Sequence, residues 1–345
     1  MKNISQMFLA IFISVLGAGI FIYLHFPLPW LLGSILITSV VIRFEKIPTL
    51  KPNTFFTIPA RVVIGVTIGS AFTPAILQDL HLYAYSLLFI IPYVALTAFL
   101  GVIYYWKFQG FDKKTAYFAS MPGGVIEMVI LSEEMKADVS KVTLIQASRL
   151  LFIVISLPLI IQYFFQIDLR GNQIISEPLS SLSMSELFIL VVIGVLGSLL
   201  GKKLKLPAAY LMGPMILSVV AFSIGFVESK PPDELLKFVQ VILGTTIGFT
   251  FKGVKIKEVI KVLISTLGHF VILVSISSIF IAIVYFTLDF SALQILLAFS
   301  PGGQAEINLI AILVAANIPY ITMHHIVRLI IVFNLAPIFA RKYLK

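Results

Sequence analysis

The chain contains no cysteine. That absence removes disulfides, thiolate metal sites and cysteine nucleophiles together, and it says little about redox compartment where loops are too short to need staples. Charge is scarce too. Asp, Glu, Lys and Arg make up 12% of the 345 residues, against about 25% in a soluble domain. Nothing in the sequence reads as a soluble domain, so whatever the protein does it does from the bilayer. No metal-ligand spacing and no nucleophile–base pair stands in usable context. The glycine-rich IGVTIG (64–69) and LGTTIG (243–248) stretches lack the GK[ST] of a nucleotide loop and the strand of a dinucleotide site. Their small residues point instead to close helix contact. We therefore expect no enzyme activity, no metal and no cofactor.

What is present is apolar: 59% of the residues, in runs of eighteen or more, each long enough to cross a hydrocarbon core about 30 Å thick. The formal charge of +9 sits in short loops between those runs. The positive-inside rule accounts for it better than nucleic-acid binding does. Residues 1–24 have a charged start and an apolar core but no small-residue cleavage site, and are expected to form the first span.

The sequence repeats. LHFPLPWLLGSILIT (24–38) matches LKLPAAYLMGPMILS (204–218) at an offset of 180, placing Pro27 on Pro207, Trp30 on Tyr210 and Gly33 on Gly213. One residue is then lost. At an offset of 179, IGVTIGSAF (64–72) meets LGTTIGFTF (243–251) and MPGGVIEM (121–128) meets SPGGQAEI (300–307), with Arg149 on Arg328 and Pro158 on Pro337. Chance apolar similarity does not keep register through Pro, Gly, Glu and Arg. The expected division is a first membrane repeat over 1–170, an external linker over 171–183 and a second repeat over 184–345.

Each half offers six apolar segments, near 6–24, 28–43, 54–76, 82–106, 115–131 and 142–166, then 185–201, 207–227, 235–251, 262–287, 292–315 and 320–340. If all twelve cross the membrane, thirteen basic residues lie inside and nine outside. If the fifth segment of each half dips in and returns, nineteen lie inside and only Arg170, Lys230 and Lys237 outside. The second count obeys the positive-inside rule and gives each half an odd number of crossings. The expected fold is an all-α polytopic membrane protein with two inverted-topology repeats, each of about five spanning helices plus a re-entrant or broken PGG segment. Both termini are expected to be cytoplasmic. Inverted repeats are characteristic of secondary transporters, with the site at the midplane.

The candidate site residues follow from that architecture. Pro122, Gly123, Gly124 and Glu127 pair with Pro301, Gly302, Gly303 and Glu306. Proline and glycine break a helix, and broken backbone survives in a bilayer only when buried in protein or lining a cavity. The amides of the following helix start then suit an anion, while each glutamate serves as an ion or proton site or simply caps its helix. Arg149 and Arg328 lie within spans, where a charge at the bilayer centre costs roughly 2.5–3.5 kcal/mol. They are expected to pair with the glutamates or to bind an anionic group. Arg61 has no charged counterpart, Gln240 standing at its offset, and such asymmetry is a candidate source of specificity. Gln146 and His325 hold equivalent positions, three residues before the arginines, and His325 is a candidate proton relay. Asn308 lines the path or bridges helices. His269, alone in an apolar span, is expected to be a satisfied interhelical donor.

At the paired PGGxxE motifs and the upstream LP…G stretches the chain resembles the AbrB family of bacterial membrane proteins, over nearly its whole length. Members often carry the label "ammonia monooxygenase" or "regulator". The first has no copper-type ligand cluster here to support it, and the second is shared with a soluble DNA-binding protein that this sequence does not look like. The resemblance implies a relation to inverted-repeat transporters in the bacterial cytoplasmic membrane, and maps the family motif onto Glu127 and Glu306 with their PGG glycines. It supplies no substrate. The expected partners are the lipid bilayer and a small-molecule or ion substrate, with a homodimer by analogy alone. Three functions remain open: a transporter of a small anionic or zwitterionic solute coupled to H⁺ or Na⁺, a cation–proton antiporter, and a membrane sensor without transport.

Overall fold

The computed structural model describes residues 2–44, 54–74, 76, 80–170 and 177–344, without the side chains of residues 2–4, 54, 80, 126 and 127. The described residues are helical and contain no strand. In chain order the helices are α1 (Lys2–Tyr23), α2 (Pro29–Val41), α3 (Thr54–Gly69), α4 (Ala84–Leu88), α5 (Ile90–Ile103) running into a π turn (Tyr104–Phe108), α6 (Lys113–Ser120), α7 (Val125–Glu134) and α8 (Val139–Phe164). The second half supplies α9 (Met184–Lys203), α10 (Ala209–Ser223), α11 (Asp233–Phe249), α12 (Ile256–Thr287), α13 (Ala292–Ala298), α14 (Gln304–Leu313) and α15 (Ile318–Tyr343).

The repeat is copied in backbone geometry. α7 and α8 recur as α14 and α15 with both ends shifted by 179, and α2 begins 180 residues before α10. Left-handed residues recur at the same offsets: His25 (φ 55°) with Lys205 (φ 53°), Leu28 (φ 46°) with Ala208 (φ 47°), and Lys136 (φ 57°) with Ala315 (φ 49°). A side chain in this region costs roughly 1–2 kcal/mol. The same strain at the same places in both halves shows that these turns are part of what the duplication preserves.

Among the described residues, six stretches are long and apolar enough to cross a membrane: 5–23 of α1, residues 81–108, α8, α9, α12 and α15. Helices α2, α3, α10 and α14 are apolar but only ten to seventeen residues long, because Pro27 and Pro207 with the left-handed turns set α2 and α10 to a late start. α12 shows which way the molecule faces. Ile260, Ile264, Leu267, Val271 and Val274 form an exposed stripe at helical spacing, while Ser265, Thr266, His269 and Ser277 are buried. A soluble helix has the opposite pattern. Apolar outside and polar inside is what a lipid solvent selects, and the protein is a multi-pass membrane protein.

The chain forms two compact units, each drawn from both halves. The first comprises Met1–Leu77, Leu157–Gly253 and Asn308–Ala315. In it α1 packs on α2 and α9 on α10, and the third helix of each half crosses to the second helix of the other, α3 on α10 and α11 on α2. Glycine makes those crossings. A Cβ on Gly33 would lie 2.5 Å from Gly17 O, one on Gly69 2.5 Å from Met215 O, and one on Gly244 2.7 Å from Leu31 O. The glycine-rich stretches are therefore helix-contact surfaces, as their composition indicates. Thr245 Oγ1 donates to Ser14 Oγ at 2.8 Å within the same unit, satisfying hydroxyls in an apolar setting.

The second unit comprises Gln78–Ser156, Val254–Ile307 and Ala316–Lys345, and holds the PGG motifs, Arg149 and Arg328. Arg61 belongs to the first unit, half-buried on α3, with its counterpart Gln240 buried on α11.

Candidate functional site

Both fifth segments break at the PGG motif. α6 ends at Ser120, Met121 and Gly124 are extended, and α7 begins at Val125. Likewise α13 ends at Ala298 and α14 begins at Gln304. After the break the chain turns back. The Asp138 N–H at the start of α8 donates to Thr115 Oγ1 on the first turn of α6 at 2.9 Å. The piece from 113 to 138 is therefore a hairpin whose two ends are neighbours and whose tip is the PGG. In the second hairpin the rings of Phe290, before α13, and Tyr320, on the first turn of α15, are 4.5 Å apart.

Each tip is held by the long helix that follows it. Arg149 Nη1 donates to Met121 O at 2.8 Å and Nη2 to Gly123 O at 3.0 Å. Arg328 Nη1 donates to Ser300 O at 2.6 Å and Nη2 to Gly302 O at 2.7 Å. The two forks match atom for atom at the repeat offset. A helix break frees carbonyls that must be satisfied in a low-dielectric interior, and a planar guanidinium reaches two at once. Backbone carbonyls thus take two of the three guanidinium nitrogens of each arginine.

One turn earlier, Gln146 Nε2 donates to Phe118 O at 2.8 Å, Met121 O at 3.1 Å and Ala119 O at 3.3 Å. Its counterpart His325 places Nε2 3.0 Å from Leu297 O, the carbonyl equivalent to that of Phe118. Nε2 must be the donor there, which leaves Nδ1 to accept from Arg328 Nη2 at 3.4 Å. Tautomer and orientation are fixed by this pair of bonds.

The tips also touch the last helix of the other half. A Cβ on Gly123 would lie 3.1 Å from Val332 of α15, and one on Gly302 3.2 Å from Ile153 of α8. Pro122, Pro301, Gly123 and Gly302 are buried, while Gly124, Gly303 and Glu306 are partly open. Glu306 folds back over the start of α14, where a Cβ on Gly303 would strike its Oε2. This is the position of a carboxylate capping its own helix. The Glu127 side chain lies outside the described residues. Asn308 is fully buried on α14. The structure thus brings both PGG motifs, Gln146, Arg149, His325, Arg328 and Glu306 into one unit.

Sequence reasoning missed Tyr93. Its buried hydroxyl donates to Phe299 O at 2.8 Å and lies 3.1 Å from Ser277 Oγ, within electrostatic reach of both arginines. A tyrosine in an apolar run looks like an interfacial anchor, and nothing local marks it as interior. His269 needs a correction. It is fully buried as expected, but neither ring nitrogen has a partner; Gly101 lets its ring sit against the backbone of α5. An apolar groove of about 860 Å³ on this unit runs along α5 and α15 and reaches Met121 at the first tip.

The base of the first hairpin carries a titratable cap. Asp112 Oδ1 accepts from the Thr115 N–H at 3.0 Å. Partial burial pushes its carboxyl up, but hydrogen bonds from Thr115 and from the backbone of Lys114 outweigh this and hold it below the ordinary range. A group lowered in the folded state contributes fully above its unfolded value of about 3.9 and loses that contribution as pH falls through the folded value. Asp112→Ala is expected to lower stability by about 1 kcal/mol at neutral pH. Thermal unfolding across pH should show the gap to the unaltered protein narrowing as pH falls below about 4 and closing only as it passes the lowered folded value.

The chain matches the family described as "Transition state regulatory protein AbrB" over residues 30–343. It is 24% identical over 352 residues to "Uncharacterized protein YhjN" of Bacillus subtilis (strain 168), covering 96% of this chain and 91% of the relative. It is also 24% identical over 328 residues to "Putative regulator AbrB" of Escherichia coli (strain K12), covering 93% and 91%.

Proposed function

The chain belongs to the AbrB family, and on that footing we propose that it is a secondary active transporter of a small anionic or zwitterionic solute. In this reading transport is coupled to H⁺ or Na⁺, the halves are inverted in the cytoplasmic membrane, and the site lies where the two hairpin tips meet. One observation carries it. Along α15, Tyr320 packs on Phe290 at the base of the second hairpin, whereas Ala336 O accepts from Tyr117 and Phe339 stacks on that ring near the base of the first. Sixteen residues of helix span about 24 Å, so the bases lie near opposite ends of one membrane-length helix and the tips between them. Two broken elements entering from opposite sides toward a common depth is the arrangement that inverted-repeat transporters use. Broken backbone at that depth belongs beside a cavity or within protein.

Single cysteines in this cysteine-free chain test the arrangement. Lys113→Cys and Ala137→Cys should label with an impermeant maleimide from one face, and Asp289→Cys and Ala316→Cys from the other. Labelling of the first two from opposite faces would show the segment crossing. Labelling of all four from one face would remove the inversion.

The names of the family and of the Escherichia coli relative favour a second reading, a membrane regulator. Solute flux in proteoliposomes separates the two, since a regulator moves nothing.

A further inference from the structure

The two arginines sit in unequal surroundings. Beside Arg328, Tyr93, Ser277 and His325 hold hydrogen bonds, while His324 Nε2 has no partner. Around Arg149 the unpartnered groups are more numerous. Its Nε has no partner although the residue is 1% exposed. Tyr105, Thr266 and His269 are each 0% exposed, and the Tyr105 hydroxyl, Thr266 Oγ1 and both His269 ring nitrogens are also without partners. The Tyr105 and His269 rings are 4.8 Å apart, and the Thr266 hydroxyl lies near the phenol without reaching hydrogen-bonding geometry. Both rings are within electrostatic reach of Arg149. Buried polar groups are nearly always partnered, and an orphan costs roughly 1–3 kcal/mol. Four orphaned residues on three elements, one of them the π turn at 104–108, are too many to be an accident of packing, and π turns gather at functional sites. The related positions in the other half, Val284, Leu87 and Ile90, are apolar, so the duplication does not require these groups.

We propose that Arg149 Nε, Tyr105, Thr266 and His269 form the binding site for one small planar oxyanion, a carboxylate or a group of that size. The assignment rests on the transport reading and gives it a substrate class. The four groups bring N–H and O–H donors and one positive charge, with no negative charge among them. Because Arg149 Nη1 and Nη2 already hold the first tip, an anion on Nε is coupled directly to the broken helix.

The test is thermal unfolding of the purified full chain in detergent, with acetate or nitrate replacing a bulky sulfonate at fixed sodium. Either probe should raise the melting temperature in proportion to the logarithm of its concentration above the dissociation constant. Thr266→Val and Tyr105→Phe keep the shape and remove one donor, and each should weaken the probe about tenfold or more, as for a hydrogen bond to a charged group. Without anion, Thr266→Val should match or exceed the unaltered protein, because it removes an orphaned hydroxyl. Ser277→Ala, beside the other arginine, should keep the full shift. No shift with either anion overturns the site. So does an equal shift in every variant, and so does an anion-free Thr266→Val protein of clearly lower stability, whose hydroxyl would then be structural. Anion binding by a protein that moves no solute would leave this site standing and sink the transport reading; flux unchanged in Thr266→Val, with no anion shift, would do the reverse.

Discussion

Arg328→Lys should lower the stability of the solute-free protein by about 2–4 kcal/mol, because one ammonium cannot satisfy two carbonyls and each buried orphan costs roughly 1–3 kcal/mol. The charge is kept, so the loss measures geometry. Ser300 O and Gly302 O sit 2.6 and 2.7 Å from separate guanidinium nitrogens, and a lysine reaches one or neither. Arg149→Lys should cost less, because Met121 O keeps Gln146 Nε2 at 3.1 Å and only Gly123 O loses its donor. The readout is melting temperature in detergent with no solute added. An arginine whose task is only to hold an anion makes a different prediction: unchanged solute-free stability and a loss confined to binding. If Arg328→Lys melts with the unaltered protein, the fork is not what holds the tip.

The residues that surround the two helix breaks were legible in the sequence, but their bonding partners were not. Register through Pro, Gly, Glu and Arg reveals the duplication, and the PGG pair marks the break, because backbone conformation there depends on residue type. A charge count suggested that the fifth segment returns to the face it entered; Asp138 beside Thr115 shows that the two ends of 113–138 are neighbours, and says nothing of a membrane face. A glutamate or an anionic group was the partner that charge suggested for the arginines, and the carbonyl oxygens that take their Nη atoms leave no trace in a sequence. His269 was read as satisfied for a similar reason: a lone polar residue in an apolar span normally finds a partner, and only the packing shows that this one has not. Nor could the segment pattern foresee that α3 packs on α10 and α11 on α2, so that each compact unit mixes the halves.

Gln146 and His325 give the second large effect, and the contrast within it is the informative part. Gln146→Leu withdraws the donor shared by Phe118 O, Ala119 O and Met121 O, and should cost about 2–5 kcal/mol as two or more carbonyls lose their partner. His325→Leu removes the shorter of the two bonds to Leu297 O, leaving the Ser300 N–H at 3.4 Å, and should destabilise by less. His325→Gln should stay within about 1 kcal/mol of the unaltered protein, because Gln146 shows that an amide on this helix face reaches the equivalent carbonyl. The same substitution decides the role of the imidazole. With Nε2–H on Leu297 O and Nδ1 facing Arg328, the ring has no free lone pair in this arrangement and behaves as a brace. His325→Gln should then preserve both stability and the pH dependence of solute uptake in proteoliposomes. A variant that folds with normal stability but takes up solute independently of pH would put the coupling proton on His325, and would require the ring to leave Leu297 O during the transport cycle.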